Sequence, residues 1–197
     1  GSAAFYKMAM AVAVPIMIQN GITNFVSLLD NIMVGRVGTE QMTGVAIVNQ
    51  LIFVFNLAIF GAVSGAGIFG AQFYGSGDEE GVRCAFRFKL FLCAVVTALG
   101  VAVFLLFGDS LILLYLKGEG SPEQIAASFG YAKEYLGIML FGFVPFVVAQ
   151  CYSGTLRESG RTVLPMAAGI VSVLVNLTCN TLLIFGSSEL RTTYIPT

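Results

Sequence analysis

Asp30 is the only acidic residue near the interior of a long uncharged run, and it follows Gln19, Asn20, Thr23, Asn24 and Ser27 in the same run. If that run crosses a bilayer, an ionised carboxylate within it costs about 2.5 to 3.5 kcal/mol on insertion scales, so the group must find a partner. A carboxylate so placed can load and release a proton or bind a small cation; alternatively it lies wetted near the outer end of the run and pairs with Arg36. Asn176 and Asn180 are spaced to share one helix face one turn apart. Carboxylate and amide oxygens are what hard cations prefer, so the three residues together form a candidate cation site, with sodium a possible occupant. Hydrogen bonding between helices is the competing role for the two asparagines.

These residues need helices to position them. At about 100° per residue, Gln19, Asn20, Thr23, Asn24, Ser27, Asp30 and Asn31 fall within roughly 140° of a helix circumference and form one polar stripe suited to lining a cavity or a seam. Asn49 shares a face with Asn56, with Gln50 beside it, where cavity lining and inter-helix hydrogen bonding are equally open. Pro15 and Pro145 lack a backbone donor and tend to kink helices, and Pro15, beside the stripe, is a candidate hinge, with a fixed bend equally open. Gly61 and Gly65 form a G-x-x-x-G pair of the kind that lets helices in lipid approach closely.

The 197 residues are 57% hydrophobic and 11% charged, with a mean hydropathy of +0.87. A soluble domain would carry about 25% charge. Five uncharged stretches, Met8–Leu29, Gln41–Gly77, Leu90–Gly108, Tyr135–Leu156 and Thr162–Ser188, are each long enough to cross the hydrocarbon. A β-barrel would instead show short alternating segments. The expected fold is therefore all-α, a polytopic bundle with spans near residues 6–35, 41–75, 86–108, 124–156 and 162–186, followed by an extramembrane tail at 187–197. That tail and Gly1-Ser2 are expected to be of artificial origin, and no cleavable signal peptide is evident.

Charge and composition exclude much else. The net charge of −1 and the lack of a Lys/Arg run argue against nucleic acid. There is no histidine, which disfavours hydrolase triads and zinc chemistry. No cofactor is expected. Cys84, Cys93, Cys151 and Cys179 stand singly and are expected to be buried apolar groups. Six of the ten Lys and Arg (Lys7, Arg83, Arg87, Lys89, Arg157, Arg161) fall on one set of alternating segments, which places the N-terminus in the cytoplasm of a cell-membrane protein. Gly75-Ser76-Gly77-Asp78-Glu79-Glu80 reads as a turn whose acids cap the next helix, and Ser121-Pro122 reads as a helix start.

Four stretches then carry a resemblance. Leu29-Asp30-Asn31-Ile32-Met33-Val34-Gly35-Arg36-Val37-Gly38 resembles the end of the first helix in the multidrug and toxic compound extrusion (MATE) transporters. The segments Gly70 to Asp78, Ser153 to Gly160 and Asn176 to Gly186 agree in order. The resemblance implies helices one to five of the N-terminal lobe of a twelve-helix, two-lobed carrier that exchanges protons or sodium for organic cations and drugs. It places the family's first-helix acid on Asp30, its fifth-helix polar pair on Asn176 and Asn180, and its protonation-linked bend on Pro15. Many relatives carry Asp where Asn180 stands, a departure that weakens a two-carboxylate proton mechanism. The sixth helix and second lobe are absent, so transport would need the missing lobe or a second copy around a central site. The rival functions are a lipid-linked oligosaccharide flippase, disfavoured because the spans hold no basic residue to meet pyrophosphate, and an inactive membrane-assembly fragment. An enzyme is the poorest fit.

Overall fold

The computed structural model describes residues 3–35, 38–118 and 120–185, without the side chains of 3–5, 8, 30, 34, 35 and 183–185. The described residues form five helices and no strand: α1 (Ala3–Gly35), α2 (Thr39–Ser76), α3 (Glu79–Leu116), α4 (Pro122–Glu158) and α5 (Val163–Phe185). All five are long and apolar enough to cross a membrane. Large side chains such as Phe141, Leu106 and Leu105 stand 87%, 75% and 70% exposed, an outer surface suited to lipid rather than water. The protein is an all-α, multi-pass membrane protein.

The helix ends follow from local chemistry. Gly77 adopts φ 76° and its N–H bonds back into the last turn of α2, a left-handed cap open to glycine at no steric cost. Asp78 then caps α3 by accepting from the Gly81 N–H at 2.9 Å, with Glu79 and Glu80 in the first turn against the helix dipole. Ser121 and Gln124 form a reciprocal capping box at α4, with Pro122 in the first turn. The turn and helix starts expected from the sequence are both present.

Helix α3 departs from its expected span, running from residue 79 to 116 rather than 86 to 108. Its 38 residues extend about 57 Å, well beyond a hydrocarbon core of about 30 Å. An uncharged run marks what lipid tolerates, whereas Glu79, Arg83 and Arg87 are good helix formers that continue the same helix outside it. Pro15 lies inside α1, which continues as helix through it.

The helices form two compact units, one of α1 with α5 and one of α2, α3 and α4. In the first, Gln19 Nε2 donates to the Pro165 carbonyl at 3.2 Å, so α1 meets α5 through a polar side chain near the start of α5. In the second, Val48, Ile59, Cys93, Ile112, Ala132 and Cys151 are almost wholly buried. Phe55 of α2 stacks on Phe143 of α4 with centroids 4.2 Å apart, and Phe104 of α3 meets the same ring edge-on at 5.9 Å, so one aromatic joins all three helices. Gly44 lets α2 approach α4 closely; a Cβ there would lie 2.9 Å from the Ala132 nitrogen and the Ser128 carbonyl. Two of the cysteines expected to be buried, Cys84 and Cys179, are exposed, whereas Cys93 and Cys151 are buried. The Gly61 and Gly65 pair is also corrected: both are exposed and a Cβ on either meets nothing within 4 Å. Besides Gly44, the glycines of α2 that approach a neighbour closely are Gly67 and Gly70.

Candidate functional site

Two polar clusters stand out, one in each unit. On α5, Asn180 Nδ2 donates to Asn176 Oδ1 at 3.4 Å, so the i, i+4 spacing brings the two amides together on one face. Asn176 is exposed and Asn180 half-buried. The hydroxyls of Thr178 and Thr181 donate to carbonyls one turn back at 2.7 Å, which engages their only hydrogens inside the helix. On α1, Asn20, Thr23, Asn24 and Ser27 are exposed and Gln19 is half-buried, and the Thr23 hydroxyl donates to the Gln19 carbonyl at 2.9 Å. Asp30 belongs to α1, but its side chain lies outside the described residues. The α1 and α5 faces thus offer amide and hydroxyl oxygens, a donor set of the kind that suits a hard cation rather than a soft metal. Asn49, on α2, accepts from the Tyr135 hydroxyl at 3.3 Å, a bond that ties α2 to α4.

The second cluster was missed from the sequence. Lys89 of α3 is 1% exposed, and its ammonium donates to both carboxylate oxygens of Glu158 on α4, at 2.5 and 2.7 Å, and to the Thr155 hydroxyl at 3.0 Å. All three ammonium hydrogens are engaged. The Thr155 hydroxyl in turn donates to the Cys151 carbonyl at 3.0 Å. The Glu158 carboxylate lies where a Cβ on Gly67 or Gly70 of α2 would stand, so the two glycines make the room that the pair occupies. The ion pair therefore touches all three helices of its unit.

Counting Lys89 with Arg83 and Arg87 as a loop charge was the error, as was regarding the spans as free of basic residues. The available signal was periodicity: Ala85, Lys89, Cys93 and Thr97 recur every fourth residue and all four are buried, so Lys89 is in register with the packed stripe of α3. A charge in that register, at the edge of an uncharged run, requires a counter-charge elsewhere.

A family model, MatE, matches residues 15–182. The chain is 28% identical over 180 residues to the probable multidrug resistance protein NorM of Thermotoga maritima, covering 91% of this chain and 37% of that protein. It is 31% identical over 183 residues to the multidrug resistance protein PmpM of Pseudomonas aeruginosa, covering 91% and 36%. It is 30% identical over 178 residues to the probable multidrug resistance protein YoeA of Bacillus subtilis, covering 88% and 36%. The chain thus spans less than two fifths of the length of these relatives. No solved structure matches it significantly.

Proposed function

Since this chain belongs to the MatE family, we propose that it serves in cation-coupled efflux of organic cations and drugs, with Asp30 taking up the coupling ion and Asn176 and Asn180 orienting or coordinating it. The observation that carries the reading is the pair of amides on α5, joined at 3.4 Å within the unit that also holds α1 and Asp30. The relatives named for multidrug resistance support efflux of drugs as the activity. The coupling ion is a proton or sodium, and Gln19, Asn20, Thr23, Asn24 and Ser27 on α1 line a route for the ion, with Pro15 as the hinge; Asn49 on α2 lines a cavity face of its own unit. Arg83, Arg87, Arg157 and Arg161 gather at one end of the α2 to α4 unit, where α2 ends, α3 begins and α4 ends; this end faces the cytoplasm of the inner membrane. Alternating access needs two bundles moving around a central site, so the five helices bind the ion and require a second lobe or a second copy to transport. A flippase for lipid-linked oligosaccharides would need free basic groups deep in the spans for pyrophosphate; the buried ammonium of Lys89 is already engaged by Glu158, and Arg83 and Arg161 stand near helix ends.

The test is ion binding by the purified chain in lipid nanodiscs, read by radioactive sodium uptake and by proton release, together with drug efflux from vesicles carrying the chain joined to a second lobe. Asp30→Asn should abolish saturable ion binding and ion-driven efflux, and Asn180→Ala should weaken both. Unchanged ion binding and ion dependence in Asp30→Asn would refute the assignment.

A further inference from the structure

At the end of the α2 to α4 unit, the last turn of α2, the first turns of α3, the last turn of α4 and the residues just after it line an open pocket of about 290 Å³. Its polar lining includes Tyr74, Glu79, Arg83, Thr155, Ser159 and Arg161. Which of these can still donate is decided by the hydrogen bonds already made. The Thr155 hydroxyl donates to Cys151 and the Ser159 hydroxyl to the Thr155 carbonyl, so neither has a hydrogen to offer. The Tyr74 hydroxyl makes no hydrogen bond, and Arg161 has no acidic partner, among the described residues. Arg83 meets Glu79 at 3.8 Å, but both side chains are at least 75% exposed, and an open pair of this kind holds little energy. Two guanidinium groups and a phenol therefore face a pocket whose other walls are the apolar Val82 and Leu156, the Thr155 and Ser159 hydroxyl oxygens and the Glu79 carboxylate, whose single charge leaves the lining net positive.

The level of this pocket along the helices is marked independently. One turn further along α3 and α4, Phe86 and Tyr152 meet edge-on with centroids 5.0 Å apart. Tyrosines at helix flanks favour the boundary between hydrocarbon and water, and a pocket one turn outside such a pair stands among lipid headgroups. Basic pockets between transmembrane helices at this depth suit anionic headgroups. We infer that Arg83, Arg161 and Tyr74 form a binding site for the phosphate of an anionic phospholipid, with Val82 and Leu156 against its glycerol backbone. This site lies in the other unit from the proposed ion site, so it stands or falls separately from the transport reading.

The experiment uses the purified chain in micelles doped with phosphatidylglycerol or phosphatidylcholine, with bound lipid counted by native mass spectrometry and inorganic phosphate added as a competing probe. The chain should retain phosphatidylglycerol in preference to phosphatidylcholine. Arg83→Gln with Arg161→Gln should lower that retention about thirtyfold, from two lost charge contacts. Tyr74→Phe should lower it by a smaller factor, whereas Arg87→Gln, an exposed arginine outside the lining, should leave it within about twofold. Circular dichroism monitors folding; should the double glutamine variant unfold, Arg83→Lys with Arg161→Lys and Tyr74→Phe carry the test, both expected to weaken retention. Retention unaffected in the folded arginine variants, or lowered equally by Arg87→Gln, overturns the site. Displacement of the lipid by millimolar inorganic phosphate, with no preference between the two lipids, overturns the phospholipid as its occupant. Sodium or proton binding that depends on Asp30 should persist in every one of these variants.

Discussion

Replacing Lys89 with methionine keeps the stem and removes the ammonium, and the structure sets the size of the effect. The ammonium sits at 2.5 and 2.7 Å from the two Glu158 oxygens and 3.0 Å from Thr155 Oγ1, in a side chain 1% exposed. Removing one partner of a buried pair costs about 3–5 kcal/mol, because the other charge stays without compensation. Glu158 remains 16% exposed, so water offsets part of its loss and Lys89→Met should fall near the lower limit, about 3 kcal/mol. Glu158→Gln strands a more deeply buried charge and should cost more, about 4–5 kcal/mol. With both replaced, neither charge is stranded, and stability should return to within about 1 kcal/mol of the native chain. The assay is a double-mutant cycle on the purified chain, with unfolding in dodecyl sulfate followed by circular dichroism. A coupling of at least about 3 kcal/mol is expected; single effects that add to within about 0.5 kcal/mol would show that the pair contributes nothing specific and refute the reasoning.

The glycines of α2 should sort by what a methyl group meets. Gly67→Ala and Gly70→Ala place a Cβ on the Glu158 carboxylate and should lower the unfolding midpoint in the same assay, whereas Gly61→Ala and Gly65→Ala, open on all sides, should raise helix stability by up to about 1 kcal/mol. Phe143→Ala removes the ring that meets both Phe55 and Phe104, and should cost about 3–5 kcal/mol; a loss below about 1 kcal/mol would mean that the site collapses around the gap.

Much of the fold is legible because lipid penalises charge so strictly. Each uncharged run corresponds to a helix, and the caps at Asp78 and Ser121 follow from residues within four positions of each other. The Asn176 and Asn180 pair is legible for the same reason, since one turn of helix fixes it. What could not be read is long-range. Lys89 and Glu158 are 69 positions apart, and nothing local says that α3 and α4 set them face to face. The G-x-x-x-G spacing at Gly61 and Gly65 was misleading because spacing identifies a face without saying where it points. Gly67 and Gly70 occupy the packed side instead, beside buried Ala66.

The position of the ion pair within its unit has a physical logic of its own. A buried pair gains little over well-packed apolar residues, because desolvation offsets the Coulomb attraction. The offset is smallest where water is near. Glu158 is the last residue of α4, and the pair lies towards the end where α2 and α4 stop and α3 begins; the shared aromatic contact at Phe55, Phe104 and Phe143 holds the apolar interior. Each end of the gradient uses the interaction that its surroundings favour: ring packing where water is absent, and a charge-assisted clamp where the carboxylate can keep part of its hydration. Moving the clamp inward to the Phe143 level would remove that residual hydration from Glu158 and leave three aromatic side chains without their contact. The same three helices are therefore joined most economically by the arrangement they have, with the glycines of α2 placed opposite the carboxylate rather than opposite the rings.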